Sequence, residues 1–104
     1  MAEEVESIMQ RLDALPGVIG VLTLTKEGQQ IRSTLPEDQT TKYCGLIEGL
    51  VARCLAAAKV LDADNELELL RLRTRQLELW TVQEPDTGYI LAVLQKTQRK
   101  EPNV

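Results

Sequence analysis

Four short clusters in this chain have residue types and spacings that bear on chemistry. Asp62-x-Asp64-x-Glu66 begins like a calcium loop, with carboxylates at alternate positions. Such a loop requires glycine at its sixth position and glutamate at its twelfth, and those positions hold Leu67 and Arg73. The acids therefore read as the end of a helix. Glu3, Glu4 and Glu6 gather at a helix N-terminus, where the helix dipole favours carboxylates without any catalytic role. Arg71-Leu72-Arg73-Thr74-Arg75 is basic but isolated and strand-like, which suits a charged sheet edge better than a phosphate site. Cys44 and Cys54 are the two thiols, and no histidine exists to activate either as a nucleophile.

The absences are equally informative. A chain with no histidine has no Ser-His-Asp or Cys-His catalysis, lacks the commonest zinc ligand, and has no imidazole pH switch. No GxxxxGK[ST] phosphate loop and no GxGxxG turn are present. The net charge is −4, from 12 basic and 16 acidic residues, which disfavours nucleic acid and anionic membranes. Trp80, Tyr43 and Tyr89 are the only aromatic residues, too few for a base-stacking platform. The expectation is a protein that is not an enzyme, with no cofactor, no metal and no small-molecule substrate.

The N-terminus MAEEVESIMQ is acidic and has none of the basic-then-apolar order of a secretory signal. Nor does any apolar run approach the roughly 20 residues needed to span a bilayer. Cys44 and Cys54 fall ten positions apart within one expected helix. At ~1.5 Å rise per residue that is about 15 Å, beyond disulfide reach. Both read as free thiols of a reducing cytosol, with Cys54 in the core.

The elements that must position these groups follow from periodicity. At 104 residues there is chain for one domain. Val5, Ile8, Met9, Leu12 and Leu15 recur at helical spacing until Pro16-Gly17 stops them. Val18 to Thr25 reads as a strand covered on both sides, Lys26-Glu27-Gly28 as a turn, and Gln29 to Leu35 as a more polar edge strand. After Pro36 a long helix runs to about Leu61, with the stripe Tyr43, Leu46, Ile47, Leu50, Val51, Cys54, Ala58 and Leu61. Three strands follow, over Glu66–Thr74, Gln76–Gln83 and Tyr89–Gln95, and the last is apolar on both faces. Glu84-Pro85-Asp86-Thr87-Gly88 is a turn, whereas no clear turn signal separates the first two of these strands. The resulting order αββαβββ predicts an α/β (α+β) fold, an antiparallel five-stranded sheet with one helix on each face. The domain occupies 1–96, and 97–104 is a polar C-terminal tail.

Two features point to a second copy of the chain. Beyond the apolar stripe, the long helix carries Gly45, Gly49, Ala52 and Ala56. Each helical glycine costs about 1 kcal/mol against alanine. Either this face is simply solvated, or its small residues admit a second helix at close range, by the steric argument known from membrane helices. In the strand after it, Leu67 and Leu69 share a face with Arg71 and Arg73. As a free edge, this strand would pair with its symmetry mate and carry the sheet through a homodimer; alternatively its arginines protect the edge.

Several fragments together resemble the roadblock-type dynein light chains. They are Gly17-Val18-x-Gly20, Glu27-Gly28, Ile31-Arg32-Ser33-Thr34, Thr40-Thr41-x-Tyr43, Asn65-x-Leu67, Leu70-Arg71-Leu72-Arg73, and the stretch from Tyr89 to Gln95. They run in the family's order from Met1 to about Lys96. The resemblance implies a homodimer with a continuous sheet and a non-catalytic adaptor role. It implies dynein intermediate chains as partners, in the cytoplasm and cytoskeleton or in a ciliary axoneme. Other members of the superfamily are scaffolds or regulators of small GTPases, and that remains the alternative. Trp80, the Glu84-Pro85-Asp86 turn and the tail from Gln98 depart from the common cytoplasmic pattern.

Overall fold

The computed structural model describes residues 2–97. Residues 98–104 of the expected polar tail lie outside the described residues, as does the side chain of Glu3. The elements are α1 (Ala2–Asp13), β1 (Val18–Leu24), β2 (Gln30–Ser33), α2 (Glu37–Leu61), β3 (Leu69–Arg73), β4 (Leu77–Gln83) and β5 (Ile90–Lys96). All strand pairs are antiparallel, in the order β2-β1-β5-β4-β3. The two doubly apolar strands, β1 and β5, lie side by side inside the sheet, and β2 and β3 are its edges.

Period-two alternation sends β1 to both layers. Val21 and Thr23 face α1, where the Thr23 hydroxyl meets the buried Met9 sulfur at 3.9 Å. Leu22 and Leu24 face α2 and form the main core with Cys44, Ile47, Val51, Leu79, Ile90, Ala92 and Leu94. Gly20 is needed for close approach, because a Cβ there would sit 2.5 Å from the Leu35 side chain.

Hydroxyls tie the layers together. The Thr34 hydroxyl accepts from the Val21 amide (2.9 Å) and donates to Asp13 of α1 (2.9 Å). Thr40, fully buried in the first turn of α2, donates to the carbonyls of Leu35 (3.2 Å) and Pro36 (3.0 Å). At the far end, Asp62 accepts from the Asp64 amide (2.9 Å) and the Asn65 side chain donates to the Ala58 carbonyl (2.7 Å). The acidic run thus finishes the helix. The turn with no sequence signal, between β3 and β4, is closed by Thr74, whose hydroxyl accepts from Leu77 N–H and donates to Leu77 C=O, both at 3.0 Å.

The helical stripe needs correction. The buried line of α2 is Thr40, Cys44, Ile47 and Val51, while Leu46 is 58% exposed and Leu61 is exposed as well. Cys44 is the core cysteine and Cys54 is half-buried. The helix is rotated because it packs on β1 and β2 rather than over the middle of the sheet. At the tip of the β1–β2 hairpin, the Cβ position of Gly28 lies 3.1 Å from Glu48.

Candidate functional site

The off-centre seat of α2 leaves the β4–β3 side of its own layer open. The opening is an apolar groove of about 440 Å³, walled by Gly45, Leu46, Gly49, Leu50 and Arg53 of α2. Its floor includes Leu72, Leu77, Leu79 and Leu94. A Cβ added to Gly45 or Gly49 would meet nothing within 4 Å, so neither glycine is required by the chain's own packing. Ala52 and Ala56 are exposed farther along the helix. A small-residue wall beside an apolar floor has the shape to seat another helix.

At the same end of the sheet, β3 is an edge strand, so one side of its backbone faces no strand. Leu69, Arg71 and Arg73 point to the α1 side, and Leu70 and Leu72 to the α2 side. Leu67 does not join Leu69. It precedes the strand and packs against the α2-side core, because the regular alternation begins only at Leu69.

On the α1 side, the register aligns Arg73 with Glu78 and Glu78 with Gln95, and sets Arg71 opposite Trp80. Glu78 is 4% exposed. Its carboxylate accepts from Arg71 Nη2 (2.8 Å), Gln95 Nε2 (2.7 Å) and Trp80 Nε1 (3.4 Å), and Arg73 Nε lies 3.4 Å away. The Arg71 guanidinium rests over the Trp80 ring, 4.5 Å from its centroid. The bond from Arg71, with help from Gln95, holds the Glu78 carboxyl below the usual carboxylate range despite its burial. Glu78 is therefore charged at neutral pH, is occupied by donors, and serves to orient Arg71. Burial pushes the Cys44 thiol up, which keeps it protonated. Among the described residues, no three acidic or cysteine side chains converge on a metal-sized site. No helix among them is long and apolar enough to cross a membrane.

The family model for the Roadblock/LC7 domain matches residues 4–95. This chain belongs to the Roadblock/LC7 family. The roadblock domain is similar to solved structures at low sequence identity. It matches a Roadblock/LC7 domain from Streptomyces avermitilis with a TM-score of 0.76 at 18% identity, over 86% of this chain and 76% of that one. It matches Myxococcus xanthus MglB with a TM-score of 0.74 at 20% identity, over 93% of this chain and 79% of that one. An MglB with tetrameric arrangement gives a TM-score of 0.75 at 12% identity, over 90% of this chain and 71% of that one. These likenesses establish the fold.

Of the residues singled out for an interface, this roadblock domain brings Gly45 and Gly49 to the groove and leaves Ala52 and Ala56 exposed beside it. It puts Leu69, Arg71 and Arg73 on the opposite face of the sheet. Glu78, Trp80 and Gln95 escape sequence reasoning as a site. The available signal was Arg-x-Arg in one strand facing Glu-x-Trp in the next across a short turn.

Proposed function

We propose that this roadblock domain is a non-catalytic homodimeric adaptor, a light chain that binds intermediate chains of a dynein motor and supports its assembly, docking or cargo attachment. The observation that carries the reading is the coincidence of two unfinished surfaces at one end of the sheet. The groove walled by Gly45 and Gly49 and the bare edge of β3 both lie there. One two-fold axis serves both: β3 pairs antiparallel with its mate, and each α2 lies against the other. Ala52 and Ala56 then extend the helix contact, while Leu69, Arg71 and Arg73 flank the strand seam. Leu67 supports the seam from the core side.

The resulting platform offers two equivalent sites beside α1 to apolar helical segments, so two intermediate chains are held together with gained avidity. Support for dynein as the motor is the ordered resemblance from Gly17-Val18-x-Gly20 to Tyr89–Gln95. The test is a titration of the purified protein with the light-chain-binding segments of cytoplasmic and axonemal intermediate chains, alongside sedimentation. Two segments per dimer, saturably bound, is the expected result, and the tighter partner names the motor. A monomer at micromolar concentration overturns the platform. No binding to either segment, with nucleotide-dependent association with a small GTPase, transfers the reading to a GTPase scaffold.

A further inference from the structure

Two charged clusters flank the bare edge strand β3. The acidic run Asp62, Asp64, Glu66 and Glu68 leads into it, and Arg71, Arg73 and Arg75 follow at alternate positions through the strand and its exit turn. Asp62 is engaged by the Asp64 amide at the end of α2, and Glu78 holds Arg71 and Arg73. Glu66, Glu68 and Arg75 are exposed, and among the described residues they have no ion-pair partner in the chain.

Charges on an edge strand commonly serve to block it against other strands. A blocking edge carries one sign throughout, because an incoming copy then meets its own charge in every register. Here the sign changes once, near the middle of β3, acidic before and basic after. An antiparallel copy therefore meets opposite charge at both ends, whereas a parallel copy meets like charge along its whole length. Full antiparallel overlap of Leu69–Arg73 with its mate sets Arg75 level with the partner's Leu67. At ~4.8 Å between strands and ~3.4 Å per residue, Arg75 then stands about 6 Å, measured between Cα positions, from the partner's Glu66 and the partner's Glu68. An arginine side chain pairs easily over that span. The two-fold axis repeats the arrangement at the other end of the seam.

We infer that Glu66, Glu68 and Arg75 form a charge code by which β3 selects a second copy of its own chain, in antiparallel register, over other exposed strands. The inference rests on the homodimeric reading above and adds the rule by which the copy is chosen. Apolar contact at the groove supplies the area. The charges fix the register and reject strands that lack the same polarity. Lying at the wet rim of the contact, they govern selectivity and salt dependence more than total affinity.

The test uses two reversed full-length variants, Glu66→Lys with Glu68→Lys, and Arg75→Glu, each examined by sedimentation alone and then mixed. All three positions are exposed, so the reversals leave the core and the Glu78 cluster untouched. Alone, each variant sets like charge on like at both ends of the seam, and its dimer dissociation constant is expected to rise about tenfold or more. In the mixture, the introduced lysines meet the introduced glutamate at one end, and the native Arg75 meets native Glu66 and Glu68 at the other. Affinity is then expected to return to within about threefold of wild type, which no folding defect in either variant would allow. In about 1 M salt, where the screening length is about 3 Å, the differences are expected to shrink.

Reversed variants that dimerise as wild type does, or a mixture no tighter than its components, overturn the inference and leave these charges to edge protection. Differences that persist undiminished in 1 M salt do so too. The readings fail separately. A wild-type dimer indifferent to the reversals removes the code and keeps the homodimer, whereas a wild-type monomer removes both. If mixing restores the dimer while intermediate-chain segments do not bind, dynein is removed and the code stands.

Discussion

The Ser33 hydroxyl lies 2.7 Å from the Thr40 hydroxyl, and this contact joins the end of the edge strand β2 to the first turn of α2. Because the Thr40 proton points to the Leu35 and Pro36 carbonyls, Ser33 is the donor between the two hydroxyls, and its oxygen accepts from the Leu35 amide (3.0 Å). α2 begins at Pro36 with no side-chain cap, so Thr40 does the anchoring from inside the helix. Replacing Thr40 with valine keeps the volume but removes the hydroxyl partner of Ser33 and of the Leu35 carbonyl, while the Pro36 carbonyl keeps its bond from the residue-40 amide (2.9 Å). We expect a loss of about 1–3 kcal/mol in chemical denaturation, the cost of unmet buried hydrogen bonds. Thr40→Ser is expected to retain most of the stability, and equal losses in the two variants would mean that packing rather than hydrogen bonding decides this site.

Gly20→Ala tests the close approach of β1 to Leu35. With a Cβ position 2.5 Å from Leu35 side-chain carbons, the extra methyl must displace Leu35. The expected cost is about 1–3 kcal/mol, typical of overpacking. Adding Leu35→Ala makes room, so the double variant is expected to lose less than the two single losses combined. Simple additivity, measured by thermal or urea unfolding, would contradict the steric account.

Gly49→Leu places bulk in the groove without touching the chain's own core, since nothing lies within 4 Å of the Cβ position. Monomer stability is expected to hold or to rise by up to about 1 kcal/mol from improved helix propensity. The dimer dissociation constant, read by sedimentation, is expected to rise at least about tenfold, because a small-residue contact tolerates no such side chain. An unchanged dimer affinity would move the interface to another face of α2.

Acid should unfold the domain partly through Glu78. Its carboxyl is held below its ordinary value of 4.5 chiefly by Arg71, so the folded state favours the charged form. A depressed folded value contributes stability above the unfolded value and loses it as pH falls through the folded value. Glu84 shifts the same way, held by the Thr87 hydroxyl and the amides of Asp86 and Thr87. Unfolding free energy measured from about pH 5 to pH 3 is expected to fall less steeply in Glu78→Gln than in wild type. Identical slopes would remove Glu78 as a source of the acid sensitivity.

Local periodicity carried a great deal of this protein. The alternation in Val18–Leu24 and Ile90–Leu94, apolar at every position or nearly so, implied two strands covered on both faces, and β1 and β5 lie together inside the sheet. Pro16-Gly17, Pro36 and the Asp62–Asn65 run marked the helix ends, because the chemistry of stopping a helix is local. Periodicity could not orient α2. Leu46 and Ile47 both fit a helical stripe, and only the seat of the helix on β1 and β2 decides that Ile47 is buried and Leu46 turns to the groove.

The sequence by itself determined the order of elements, the polar edge strand β2 and the small-residue face of α2, since each depends on residue type and short spacing. Tertiary structure decided the two sites. Arg71, Glu78, Trp80 and Gln95 come from three strands, and no local pattern links Gln95 to the other three, since it lies 17 positions from Glu78. Antiparallel register alone puts the carboxylate beneath its donors and lays Arg71 on the indole. Likewise Gly45 and Gly49 become the wall of a groove only because α2 sits to one side, over the hairpin. Both are consequences of how far one layer is displaced across another, a quantity set by the packing of the whole core.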